Sequence, residues 1–225
     1  MMKEKKTREL LDELLPDDPE KAKKILHDYD VLMMRYDSAI REVKTKLQIL
    51  NDELSLTQQS PISSISARRK KTYSILEKLE RQGFPITLES IEKNLHDVAG
   101  IRVICSFVDD IYNVADMLKR QDDLTVIQIK DYIKNPKPNG YRSFHMIVEV
   151  PVFFSNEKHA MQVEVQIRTV AMDFWATLEH QIKYKQDIPN QEAIIEELRQ
   201  CADTISETDE RMLGIREKAK IKLKI

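Results

Sequence analysis

Residues Met161 to Thr169 alternate without a break. Met161, Val163, Val165 and Ile167 fall on one side of an extended chain, and Gln162, Glu164, Gln166 and Arg168 on the other. A period of two admits a half-buried strand and excludes a helix, which would scatter the four apolar residues around its axis. The chain must therefore build a sheet with one face in the core and one face polar. That polar face carries an amide, a carboxylate, an amide and a guanidinium, all groups that can hold a ligand in fixed geometry. Taken alone, the row reads equally well as an ordinary solvated sheet face.

The rest of the chain supplies the partners of that strand. From about Pro19 to Leu50 apolar residues recur at steps of three and four, from Ala22 and Ile25 through Tyr29, Leu32, Met33, Tyr36, Ile40, Val43 and Leu47, which predicts one long helix. Residues 51–65, rich in Ser, Gln and Thr, read as a linker. A second helix is predicted from near Ser66 to Gln82, ended by Gly83 and Pro85. A short helix over Leu88–Leu95 precedes a nearly continuous apolar strand, Ile101–Val108, after which Asp109 is expected to cap a helix. Leu124–Ile133 is the next strand. Phe144, Met146, Val148 and Val150 put a further strand's apolar side inward, with His145 and Glu149 opposite, and residues 151–160 are read as a loop. Val170–Lys185 is predicted helical and contains Phe174, Trp175 and Leu178, with the two aromatics as core. Beyond Pro189, residues Ile194, Leu198, Cys201, Ile205 and Met212 keep close to a seven-residue rhythm that favours helix-on-helix packing.

The fold class expected is α/β (α+β), a mixed sheet of about five strands flanked by helices. Segment 1–60 is read as N-terminal helical, 61–188 as the catalytic domain and 189–225 as a helical oligomerisation segment. At 225 residues there is material for one good core. A formal charge of −2 sets up no global field toward nucleic acid or membrane, and the basic residues are instead clustered, which suits a small anion. The two cysteines imply no disulfide framework, no apolar leader follows the charged start, and no run reaches the ~18 apolar residues of a membrane span. A cytoplasmic protein is expected.

Chemistry-bearing residues concentrate at few places. On a helical wheel Lys71, Ser74 and Lys78 fall within ~60° of one another, just past Arg68 and Arg69, a face able to grip polyphosphate or simply to be solvated. Asp97 stands before the apolar strand that Arg102 interrupts, an arginine that costs desolvation unless something pairs with it. The turn Pro138-Asn139-Gly140 delivers Tyr141, Arg142 and His145 onto the next strand, between Lys134, Lys137 and the row carrying Glu164 and Arg168. Two carboxylates near a sheet edge among cations are what metal-assisted phosphoryl chemistry requires, and a tyrosine on a Gly-containing loop can stack on a base. From the residues this is a nucleotide-binding α/β domain of the Mg²⁺-dependent phosphotransferase kind.

Five motifs carry this further. Arg69-Lys70-Lys71-x-x-Ser74-Ile75-x-x-Lys78, His96-Asp97-Val98-Ala99-Gly100-Ile101-Arg102, Lys137-Pro138-Asn139-Gly140-Tyr141-Arg142-Ser143-x-His145, Glu164-Val165-Gln166-Ile167-Arg168-Thr169 and Phe174-Trp175-Ala176-Thr177-Leu178-Glu179-His180 occur in this order. Together they resemble the signature of (p)ppGpp synthetases of the RelA/SpoT-homologue family, in the small single-domain form. The resemblance covers roughly residues 60–185 and implies a fold related to the nucleotidyltransferases. It implies Mg²⁺ on Asp97 and Glu164, with Glu164 also taking the acceptor proton. Arg68 and Arg102 would sandwich the adenine of ATP, and Lys70 (with Lys71 as rival), Ser74 and Lys78 would contact its phosphates. Tyr141 would stack on guanine, while Lys134, Lys137, Asn139, His145 and Gln166 hold the guanosine nucleotide. Arg142 and Arg168 are grouped with that second set. A one-residue shift would put Arg69 in the place of Arg68.

The reaction implied is transfer of the β,γ-pyrophosphoryl group of ATP to the 3′-hydroxyl of GDP or GTP. The same resemblance suggests a homotetramer with no obligatory nucleic acid. Two alternatives stand beside it: a related enzyme acting on another acceptor such as an RNA end, and a silent nucleotide sensor. The His96-Asp97 pair lacks the further ligands that a hydrolase metal centre needs.

Overall fold

The computed structural model describes residue 10 and residues 13–56, 60–183 and 190–222. Helix α1 (Pro19–Ser55) starts where Asp18 accepts hydrogen bonds from the Glu20 and Lys21 amides and Pro19 takes a first-turn position. Its buried residues are Tyr29, Leu32, Met33, Tyr36, Ala39, Ile40, Val43 and Leu47, the stripe that the spacing predicts. Then follow β1 (Ile62–Arg69), α2 (Thr72–Gln82), α3 (Leu88–Asn94), β2 (Ala99–Cys105), α4 (Val108–Lys119), β3 (Thr125–Asp131), β4 (Phe144–Phe153), β5 (Lys158–Thr169), α5 (Val170–Lys183) and α6 (Gln191–Lys222).

The five strands form one mixed sheet in the order β1-β2-β5-β4-β3, parallel only between β2 and β5. The alternating strand is therefore central. Met161, Val163, Val165 and Ile167 enter a single core with Val43 and Leu47 of α1, Ile111, Val114 and Leu118 of α4, and Val103, Met146 and Val148 of the sheet. Helix α1 and the sheet thus share one core across the expected boundary at residue 60.

Several elements differ from their sequence expectations. The linker over 51–65 and the helix from Ser66 give way to a longer α1 and to β1, so that α2 begins only at Thr72. The sequence Ile-Ser-Ser-Ile-Ser-Ala-Arg-Arg is too polar to announce a strand. It becomes one by pairing antiparallel with β2, from Arg69 opposite Ala99 to Ile62 opposite Cys105. Residues 57–59 of that expected linker, and 184–185 of the expected fifth helix, lie outside the described residues.

Strand β2 ends at Cys105, and Val108 opens α4. The N-cap is Phe107, whose amide donates to the Asp110 carboxylate at 3.1 Å, so Asp109 is not the cap. The expected loop over 151–160 is a β4–β5 hairpin closed by Phe154 N–H to Glu157 C=O at 2.8 Å. Pro151 lies beyond the last β3 pair at Glu149, where β4 is paired on one side only, with β5.

In α5, Trp175 is buried but Phe174 faces outward, against the expectation that both aromatics are core, and Leu178 is exposed as well. Helix α6 does pack on another helix, but its buried positions are Ala202 and Asp209, while Cys201 and Met212 are exposed. The seam is displaced by one residue because Trp175 donates its indole N–H to Leu198 C=O and Thr169 its hydroxyl to Asp209, at 2.8 and 2.6 Å. Both cysteines are free. Among the described residues no helix is long and apolar enough to cross a membrane.

Candidate active site

Strand register lays the polar residues out in two rows. Arg68, Gly100 and Glu164 stand side by side on β1, β2 and β5, and Ser66, Arg102, Gln166 and His145 form the next row, which continues onto β4. Gly100 projects no side chain, so the space between Arg68 and Glu164 stays open. A cleft of ≈ 280 Å³ results, lined by these residues apart from His145 and by Lys70 and Asp97.

Asp97 enters from the loop between α3 and β2. Lys70 Nζ donates to its Oδ2 at 2.7 Å, and Lys78 Nζ lies 2.8 Å from Oδ1. The Lys78 contact is a close ion pair, and Oδ1 receives no well-directed hydrogen bond among the described residues. Burial pushes the Asp97 carboxyl up, but the two ammonium groups outweigh it and hold the group below the ordinary carboxylate range. Lys78 is thereby brought to the cleft from the second turn of α2.

Glu164 lies at the centre of a continuous hydrogen-bond chain. Arg168 Nη2 donates to the Tyr141 hydroxyl at 2.6 Å, that hydroxyl is 2.8 Å from His145 Nε2, and His145 Nδ1 is 3.1 Å from Glu164 Oε1. Each group donates onward if His145 carries its proton on Nδ1, the tautomer this chain requires. Gln166 Nε2 donates to the other Glu164 oxygen at 2.7 Å, and its carbonyl accepts from Arg168 at 3.1 Å. Burial raises the Glu164 pKa, yet the His145 and Gln166 contacts outweigh it against a smaller upward push from Asp97, so the net shift is downward. The two carboxylates sense each other and both are ionised at neutral pH.

The loop bearing Tyr141 closes as a turn with Gly140 N–H donating to Lys137 C=O at 2.8 Å. Asn139 Nδ2 reaches Glu179 of α5 at 2.9 Å. The Tyr141 ring already carries two cations, Lys137 Nζ at 4.7 Å and the Arg168 guanidinium at 5.1 Å from its centroid. A base that stacks there takes the place of one of them. Burial lowers the Lys137 pKa, the Glu164 charge partly offsetting it.

Not all of the expected residues converge. Arg69 pairs with Asp37 of α1 at 3.1 Å, while Arg68 lines the cleft. Lys71 is exposed at the N-cap of α2, and Ser74 stands on the first turn of that helix, one turn before Lys78. Lys134 is largely solvent-exposed over the Tyr112 ring, 4.0 Å from Asp131. Arg142 points away from the cleft, to Asp203 of α6 at 2.8 Å. His96 bonds Gln162, at 2.6 Å.

Two residues without a local sequence signal belong to the site. Tyr132 packs edge-on against Tyr141 and His145, and Lys137 Nζ lies 4.6 Å from its ring centroid. Asp173, in the first turn of α5, accepts from Arg168 Nη1 at 3.0 Å and lies 3.3 Å from Arg102 Nη1. It joins an arginine of the cleft to one beside Tyr141. Arg102 Nε is buried and has no hydrogen-bond partner among the described residues, which leaves a donor available within the cleft wall.

The donor set fits a magnesium ion. Asp97 and Glu164 supply carboxylate oxygens to one cleft, and Asp97 Oδ1 is incompletely satisfied. Among the described residues no three His, Cys, Asp or Glu side chains converge, so the remaining ligands would be phosphate oxygens and water, as Mg²⁺ prefers.

A cationic cleft and an aromatic, cationic cluster around Tyr141 that meet at Glu164 are the parts of a phosphotransferase. Residues 67–189 match the region found in RelA / SpoT proteins, and the chain belongs to that family. GTP pyrophosphokinase YwaC of Bacillus subtilis (strain 168) is 44% identical over 197 residues, spanning 86% of this chain and 93% of the relative. GTP pyrophosphokinase YjbM of the same organism is 40% identical over 190 residues, spanning 84% and 88%. The crystal structure of small alarmone synthetase 1 from Bacillus subtilis bound to its product pppGpp has a TM-score of 0.78 at 38% identity, over 86% of this chain and 99% of that one. The same synthetase bound to AMPCPP gives 0.72 at 36% identity, over 86% and 98%.

Proposed function

We propose that this chain is a GTP pyrophosphokinase that makes the alarmones ppGpp and pppGpp, transferring the β,γ-pyrophosphoryl group of ATP to the 3′-hydroxyl of GDP or GTP. The observation that carries this reading is that Glu164 is shared by the cleft and the aromatic cluster, with Asp97, Lys70 and Lys78 on one side and His145, Tyr141 and Arg168 on the other. Arg68 and Arg102 hold the adenine side, and Lys70, Lys78 and Ser74 meet the triphosphate. Tyr141 stacks on guanine. Lys137, His145, Gln166, Asn139 and Arg168 orient the acceptor, and Lys137 exchanges its place over the rings for a phosphate. Glu164, ionised and turned toward the cleft, takes the proton from the 3′-hydroxyl. The new bond joins the 3′-oxygen to the β-phosphorus, the bond from that phosphorus to the α,β-bridging oxygen breaks, and AMP leaves with the electron pair.

Mg²⁺ held by Asp97 and Glu164 would offset charge on the β-phosphoryl oxygens. The cationic walls serve the same purpose at the γ-phosphate. The site would work in the cytoplasm, where its substrates are, as part of a stringent response.

Purified protein incubated with γ-labelled ATP and GDP or GTP should yield labelled ppGpp or pppGpp and equimolar AMP. Release of ADP, or label transferred only to an RNA end, would overturn the reading.

A further inference from the structure

Arg142 of the Lys137–His145 motif turns its charge to the C-terminal helix. Arg142 Nη2 donates to Asp203 Oδ1 at 2.8 Å, and its Nη1 donates to the carbonyl of Gly140 at 3.1 Å. The other Asp203 oxygen accepts from Arg199 at 3.1 Å. The guanidinium thus fastens the turn preceding Tyr141 to the side of α6 through charge-assisted bonds. The Arg142 side chain is 14% exposed and that of Asp203 42%, so in this strap the guanidinium is packed against the loop while the carboxylate keeps one side to solvent.

Backbone contact strengthens the strap. Gly140 has φ +86°, and a Cβ there would stand 2.7 Å from the Ala202 Cβ and 3.1 Å from the Arg199 Cα. The turn lies against the α6 main chain at Arg199, and a side chain at position 140 would not fit. The adjoining Trp175 holds the same part of α6 through Leu198 C=O and lies 6.5 Å from the Tyr141 ring. Tyr141 is the next residue after Gly140, so its ring position is set by a turn seated on α6.

We propose that α6 is a working part of the guanosine subsite, with Asp203 as a positioning residue that holds the Tyr141 loop through Arg142. This rests on the assignment of that subsite to a guanosine nucleotide. Segment 189–225 then does more than assemble subunits: any shift of α6, including one imposed by a neighbouring subunit, reaches acceptor binding first and ATP last.

The test compares wild-type protein with Asp203→Asn, which keeps size and an acceptor but drops the charge, and with Asp203→Glu. KM for GDP and for ATP, GDP affinity by calorimetry without ATP, and mass by light scattering are measured for each. Asp203→Asn should weaken GDP use and GDP binding by roughly tenfold, a coupling of ~1.4 kcal/mol. ATP KM should stay within about twofold, and mass unchanged; Asp203→Glu should recover part of the GDP loss. Unchanged GDP affinity, equal losses for both substrates, or a loss that tracks dissociation into smaller species would overturn the proposal. Wild-type protein that neither binds GDP nor uses it would instead overturn the function assigned to the site, irrespective of the variants.

Discussion

Glu164 and Asp97 line the same cleft but keep different company. Among the described residues Asp97 pairs there with the Lys70 and Lys78 ammonium groups, which excess metal can replace, whereas Glu164 faces His145 and Gln166 on the acceptor side. Asp97→Asn should lose rate and regain part of it at high Mg²⁺. Glu164→Gln should stay inactive at any Mg²⁺ concentration although folded, since general-base catalysis is typically worth about 10²–10⁴-fold. Initial rates against Mg²⁺, with circular dichroism as control, decide; substantial rescue of Glu164→Gln would leave it a metal ligand only. Both carboxyls have depressed folded pKa values. The stability they contribute is therefore present above the ordinary carboxylate range and drains away as pH falls through their folded values.

Tyr141 has two separable duties. Its ring offers a stacking surface, and its hydroxyl links Arg168 to His145. Tyr141→Ala should weaken guanosine nucleotide use by ~1–3 kcal/mol and leave ATP affinity nearly unchanged. Tyr141→Phe loses only the two hydroxyl contacts and keeps the ring, so it should retain more guanosine nucleotide binding than Tyr141→Ala, which loses both. If Tyr141→Phe binds GDP as poorly as Tyr141→Ala in calorimetry, stacking is not the main term.

Among elements, α6 is tied down by polar contacts more than by apolar ones. Asp209 of this helix is buried, and burial raises its pKa against the hydrogen bond from Thr169. The folded state then keeps the Asp209 proton to higher pH than the unfolded chain does. The Asp209 contribution to stability is lost as pH rises from the ordinary carboxylate range through the folded value, the reverse of Asp97. Asp209→Asn keeps an acceptor for Thr169 and removes the buried charge. Thermal unfolding of this variant should occur at higher temperature than wild type at neutral pH, by roughly 2–4 °C per kcal/mol relieved. The two should converge in acid. A lower melting temperature at neutral pH would mean that the charge is paired in the folded protein.

At the scale of the molecule, apolar area is left uncovered on the two last helices. Val170, Phe174 and Leu178 recur every four residues along α5 at 57%, 61% and 40% exposure, and Met212 and Ile215 add to it on α6. A stripe of this kind marks an interface more often than a solvated face. We propose that it is buried between copies of the chain, in a homotetramer. Light scattering should give an oligomer at micromolar concentration and a smaller species for Phe174→Glu, and a monomeric wild type would remove the claim.

By itself the sequence determined whatever depends on local period and local chemistry. The two faces of β5, the buried stripe of α1, the left-handed end of α2 at Gly83 and the turn at Pro138–Gly140 are set by residues within a few positions of one another. Asp97, Glu164, Lys78 and Tyr141 stand out because their chemistry is unusual where it stands, whereas the role of Lys70 comes from the family resemblance alone, with Lys71 as its rival. Tertiary structure decided what depends on partners far along the chain. Strand β1 exists because β2 offers it a ladder. Arg68 rather than Arg69 lines the cleft because Asp37 of α1 holds the latter. Arg142 turns outward because Asp203, 61 residues on, lies beneath the loop, and Asp173 becomes part of the site because α5 brings it between Arg102 and Arg168. An ion pair across such a separation leaves no periodic trace, since neither residue constrains its own neighbours; only the packing of helix on sheet brings the two charges together.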